Sequence, residues 1–110
     1  MEAPLYFVQA DTNTMLKVEL SRLNSGSAVD LTLASAVNLY VKRRLYDAVL
    51  FTVSGQINDP TGGEVIFVFD EGQLDIASGE YTGEVEVIFL NGNRETVYEI
   101  VDIIIREDYA

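Results

Sequence analysis

Cysteine, histidine and tryptophan are all absent from this sequence, and only two residues are proline. Without cysteine there is no disulfide framework and no thiolate metal site. Without histidine the usual general base and the commonest metal ligand are missing. Serine stands at 21, 25, 27, 35, 54 and 78, but no ordinary serine–histidine–acid triad can be assembled from them. Basic residues are scarce as well, seven against eighteen acidic ones, for a net charge of −11. A body so negative repels phosphate backbones, so nucleic acid is not an expected partner, and the charge favours solubility. The longest apolar runs fall far short of a bilayer span, and no membrane partner is expected. The start, Met1-Glu2-Ala3-Pro4, has no basic region and no long apolar stretch. The expectation is a protein made and used without crossing a membrane by the general route.

What is present is enough for one domain, residues 1–110, around one core. Its clearest stretch runs from Gly79 to Phe89. Tyr81, Gly83, Val85, Val87 and Phe89 alternate with Glu80, Thr82, Glu84 and Glu86. A pleated strand with one dry face and one wet face needs that period of two. Tyr81 enters this strand two residues after Gly79, downstream of Leu74-Asp75-Ile76-Ala77. That is the sequence trace of a tyrosine corner, in which the ring fills the core and the hydroxyl returns to backbone upstream.

Further strands are expected along the chain. Leu5-Tyr6-Phe7-Val8 reads as an edge strand after Pro4. Leu16, Val18 and Leu20 alternate with polar residues, and so do Val37, Leu39 and Val41. Asp30 or Thr32 can cap a short turn through Leu33-Ala34. Residues 40–51 fit two patterns. Val41, Leu45, Ala48 and Val49 match helical spacing, whereas Val49, Phe51 and Val53 alternate. Two strands joined near Tyr46-Asp47 are the expectation, with a helix as the alternative. Asn58-Asp59-Pro60-Thr61-Gly62-Gly63 is the strongest turn signal, and Asn91-Gly92 marks a hairpin before a last strand from about Arg94 to Ile105. The charged tail from Arg106 to Ala110 is expected to fray. Seven to eight short strands and no long helix predict an all-β chain, an immunoglobulin-like antiparallel β-sandwich.

Candidate chemistry is thin. Glu80, Glu84 and Glu86 could be read as a cation site or paired catalytic carboxylates, but outward Glu is what the strand pattern demands. Thr61-Gly62-Gly63 lacks the ending and the following helix of a phosphate loop. No catalytic, cofactor-binding or metal residue is therefore expected. Lys42-Arg43-Arg44 gathers three of the seven basic residues. It serves either as a charged guard on an edge strand or as a contact for an acidic partner, including a sister subunit arranged head to tail. Val65 to Phe69 and Ile103 to Ile105 are apolar on both faces. In a two-layer sandwich only one face of each is internal, so Ile66, Val68 and Ile104 need a cover, from a loop or the N-terminal strand or from another subunit.

Several stretches form a familiar series. They are Gln9-Ala10-Asp11-Thr12, Val29-Asp30-Leu31-Thr32, Ile57-Asn58-Asp59 through Phe67, Gly79 to Val87, Asn91-Gly92 and Ile103-Ile104-Ile105. The series resembles the immunoglobulin-like N-terminal domain of phage baseplate upper proteins, over roughly residues 7 to 106. The family usually has Gly where Ala10 stands, and its members continue into long C-terminal regions, whereas this sequence stops at Ala110. The resemblance implies a non-enzymatic virion protein, made in the host cytoplasm, whose docking surface lies on the Ig-like body. Its implied partners are other virion proteins of tail, baseplate or fibre, in a homo-oligomer or larger assembly. Two rival readings are a capsid decoration subunit and a small carbohydrate-binding module using Tyr40, Tyr46, Tyr98 or Tyr109.

Overall fold

A computed structural model describes residues 5–8, 14–21, 25–43, 48–70 and 72–106, with side chains described from residue 14 onward except 97–101. Among the described residues there are seven strands and no helix. They are β1 (Leu5–Val8), β2 (Met15–Glu19), β3 (Ala34–Lys42), β4 (Val49–Asp59), β5 (Glu64–Val68), β6 (Gly79–Phe89) and β7 (Arg94–Arg106). The chain is an all-β, immunoglobulin-like antiparallel sandwich, with one parallel pair where β1 runs along β7.

The strand order is β1-β7-β6-β3-β4-β5-β2. The order folds into two sheets because β4 belongs to both. Its residues 49–54 pair with β3, and its residues 55–59 pair with β5. The large sheet is thus β1-β7-β6-β3-β4 and the small sheet β4-β5-β2. Gly55 stands at the crossing. A Cβ there would lie 2.5 Å from Val65 Cγ1, 2.8 Å from Phe67 Cε1 and 3.0 Å from the Val37 carbonyl. Only a residue without a side chain lets β4 pass this close to β3 and β5 together.

Period two sorts the faces as the alternation requires. Val37, Leu39 and Val41 of β3, Val53 of β4, Tyr81, Val85 and Val87 of β6, and Ile103 and Ile105 of β7 point inward and are buried. The small sheet answers with Val65 and Phe67, and Leu16 and Val18 pack half-buried beside them. Segments between strands plug the ends. Leu31 is anchored where its N–H donates to the Pro60 carbonyl at 2.8 Å, Phe69 meets Phe51 edge-on at 6.2 Å, and Leu74 is wholly buried. Each such burial contributes about 1.5–3 kcal/mol, most of it offset by chain entropy. No polar or charged side chain is buried among the described residues, so the core is held by packing alone.

The turns form where the breakers stand. Asp59 Oδ1 accepts from the Gly62 N–H at 3.2 Å, closing the β4–β5 hairpin. Gly63 has φ +69°, and a Cβ there would lie 2.6 Å from the Leu20 carbonyl. Asp30 Oδ1 accepts from the Thr32 N–H at 2.9 Å and the Thr32 hydroxyl at 2.5 Å, making the short turn that leads into β3. β3 and β4 are two antiparallel strands, not a helix, with a register shift at Val41/Lys42. Arg44 and the Tyr46-Asp47 join lie outside the described residues, as do residues 9–12 and the tail after Arg106.

Candidate docking surfaces

Tyr81 enters β6 with its ring buried and its hydroxyl donating to the Ala77 carbonyl at 2.5 Å. That is the bond a tyrosine corner requires. The hydroxyl also accepts from Arg43 Nη1 at 2.9 Å, and the Arg43 guanidinium carbon lies 4.9 Å from the ring centroid. Arg43 is therefore engaged with the corner. Lys42 reaches Glu84 at 3.1 Å across β3 and β6. Of the basic triplet, the two described members are bonded within the chain, and Arg44 lies outside the described residues.

The outer face of the large sheet is a row of satisfied polar contacts. The Tyr40 hydroxyl donates to Glu86 Oε1 at 2.9 Å, and Arg94 Nη1 bonds the same oxygen at 3.2 Å. Burial first, and the bond to the Glu86 carboxylate next, hold the Tyr40 phenol above its ordinary value. Glu84 and Glu86 are each taken by a cation, and Glu80 stands exposed. No group of three or more acidic residues able to hold a metal occurs among the described residues. Ile104 lies on this face, half-buried, with Glu80 opposite it on β6 and Tyr6 opposite it on β1. Tyr40 is half-buried with its hydroxyl engaged. Tyr46 and Tyr109, and the side chain of Tyr98, lie outside what is described.

Ile66 and Val68 sit on the other outer face, that of the small sheet. The structure does not bring them to Ile104. It brings them a residue that sequence reasoning missed. Met15 stands directly opposite Val68 across β2 and β5. Met15 is 61% exposed and Val68 45%, while Ile66 is half-buried between Lys17 and Gln56. A cross-strand pair on one face behaves as a unit, so this is a small apolar patch rather than two scattered residues. Lys17 bonds Glu64 at 3.4 Å above it. The only signal for Met15 was its place one residue before the alternation of Leu16 and Val18, and its partner became evident only with the register.

A scan of the sequence against protein-family models finds no match, and a search of curated proteins finds none. Among solved structures, the fold is similar to that of CopC from Methylosinus trichosporium OB3b. The TM-score is 0.56 at 10% sequence identity, over 99% of this chain and 89% of that one. At such identity the likeness speaks for the sandwich and for nothing finer.

Two other apolar spots lie at the ends of the strands. Leu33 and Leu90 are 66% and 70% exposed, and the Leu90 N–H donates to the Leu33 carbonyl at 2.9 Å. They prolong the Ala34–Phe89 register by one residue. Val49 and Leu50, exposed too, mark the opposite end of β3.

Proposed function

We infer that this chain is a non-enzymatic structural subunit of a phage virion, an Ig-like body that docks on tail, baseplate or fibre through protein–protein contacts. The observation that carries the docking role is the exposed Met15–Val68 pair on the outer face of the small sheet. Apolar side chains paired across two strands and left to water gain from being covered by a neighbour. The assignment to a virion rests on the resemblance to the baseplate family described above. The composition supports the non-enzymatic part, since the chain has neither histidine nor cysteine. Its partners are other virion proteins, in a homo-oligomer or a larger assembly, and it is made in the host cytoplasm. A capsid decoration role would use the same outer face on a different part of the particle. A carbohydrate module is less favoured, because Tyr40 is half-buried and its hydroxyl is held by Glu86.

The test is composition of the particle. Virions of the phage whose genome carries the gene are purified and their proteins quantified by mass spectrometry. The chain is expected at a fixed copy number relative to the tail proteins, and a Val68→Lys variant at reduced copy number. Its absence from purified virions would overturn the reading, and a copy number tracking the capsid protein would move it to the shell.

A further inference from the structure

β2 ends the strand order, and among the described residues nothing pairs with its outer edge. The hydrogen bonds at its two ends show which groups face that edge. The Thr14 carbonyl accepts from the Phe69 N–H at 2.9 Å, and the Leu20 N–H donates to the Gly63 carbonyl at 2.8 Å. Both contacts lie in the β2–β5 register, so the even-numbered residues of β2 bond to β5. Met15, Lys17 and Glu19 consequently turn their N–H and C=O groups away from β5, toward the open edge. A strand laid there has six main-chain groups to bond.

A second copy of the chain fits this edge poorly. A full five-residue antiparallel pairing of β2 with itself sets Lys17 against Lys17 and Met15 against Glu19. Like charges directly opposite are unfavourable, and a Lys in mid-edge is a common guard against such pairing. Sliding to a centre on Val18 would match Lys17 with Glu19. That register runs past the end of β2 at Glu19 into Leu20 and Ser21, where Ser21 is bridged to Ala28. The net charge of −11 on each copy adds repulsion. A flat protein face is no better suited. Two exposed side chains offer far less than the ~800 Å² per partner of a standard interface. Strand addition draws its affinity from the main chain and asks little of area.

We propose that the open edge of β2 takes up an extended strand of a basic partner protein. The side chain opposite Glu19 is basic, because Glu19 is exposed and has no ion pair among the described residues, whereas Lys17 is already held by Glu64. The side chain opposite Met15 is apolar and extends the Met15–Val68 patch. The alternate positions are apolar and continue the inner row beyond half-buried Leu16 and Val18. This rests on the virion reading only in taking the partner to be another protein of the particle.

The test uses the full chain, labelled with nitrogen-15, and two synthetic seven-residue peptides with Val opposite Met15, Leu16 and Val18 and Thr opposite Lys17; the Val-Lys peptide sets Lys opposite Glu19, and the Val-Glu peptide sets Glu there. The Val-Lys peptide is expected to shift the amides of Met15, Lys17 and Glu19 and slow their exchange with solvent. The Val-Glu peptide is expected to bind about tenfold or more weakly. Lys17→Pro removes one outward N–H and leaves the β2–β5 ladder intact, so it should stay folded and lose Val-Lys binding. Glu19→Lys, an exposed change with no demand on folding, should reverse the preference between the peptides. The proposal is overturned if neither peptide binds, if the shifts map elsewhere, or if Glu19→Lys leaves the preference unchanged. A chain found in virions that binds neither peptide sinks this inference alone. A chain absent from virions that still binds the Val-Lys peptide sinks only the virion role.

Discussion

On the outer face of the large sheet, Tyr40 and Arg94 both hold Glu86, and Lys42 holds Glu84. On the outer face of the small sheet, among the described residues, one ion pair, Lys17 with Glu64, stands beside Met15 and Val68, which face water. The two faces are built from the same alternating strands, yet one bonds Tyr40, Lys42, Glu84, Glu86 and Arg94 to one another and the other does not cover its apolar residues. The difference follows from neighbours. Along Thr82–Ile88, β6 has cross-strand partners on both sides, so Glu84 finds a cation and Glu86 both a cation and a hydroxyl, whereas Glu80, beyond the end of β3, stays exposed. β2 is terminal and has a partner on one side only. A finished face contributes to the stability of the lone chain, whereas an unfinished one contributes little until something else arrives.

That contrast can be broken or sharpened by substitution, with unfolding in urea as the measure. The largest effect belongs to the layer between the sheets. Phe67→Ala should cost about 3–5 kcal/mol, since the ring is wholly buried where β4 crosses. A loss below about 1 kcal/mol would mean that the small sheet is not fastened to the large one by this residue. Tyr81→Phe comes next, at about 1–2 kcal/mol, because it leaves the Ala77 carbonyl without its donor and Arg43 without its acceptor. Glu86→Ala, on the finished face, should cost about 1 kcal/mol through loss of the Tyr40 bond and the exposed Arg94 contact. Met15→Thr and Val68→Thr, on the unfinished face, should each stay within about 0.5 kcal/mol. Equal costs for Glu86→Ala and Met15→Thr would erase the distinction between the faces.

The smallest effect is an alkaline one. Tyr40 keeps its proton more firmly in the folded chain, first through burial and then through Glu86. Its raised value means that the associated stability is whole below the free phenol value of about 10 and is lost as pH rises through the folded value. Urea midpoints should therefore fall at alkaline pH, and Tyr40→Phe should flatten that limb. A limb unchanged by the substitution would assign it to another group.

Much of the fold was readable in the sequence because its signals are local. Val37, Leu39 and Val41 declare an inward row by spacing alone, and Asp59-Pro60 and Asn91-Gly92 declare turns by their backbone preferences. Tyr81 could be singled out because a corner needs only a ring, a glycine and a few upstream residues. The candidate surface was half-readable. Ile66 and Val68 betrayed themselves by breaking alternation in β5. Met15 did not, because nothing in β2 says which residue of a strand some fifty positions away will lie opposite it. The fate of Arg43 was hidden for the same reason, since the stack on Tyr81 joins residues 38 apart in the chain. The double membership of β4 was also non-local, as an unbroken alternation does not reveal that the partner changes at Gly55.

β4 ties the two layers by covalent chain and not by dispersion contacts alone. A pull on the small sheet would be transmitted at Gly55 into the β4 edge of the large one, so shearing the layers apart would require stripping β4 from one of them. A tethered component that feels tension through the edge at β2 would hand that load, by way of β5 and β4, to the most extensively bonded part of the body.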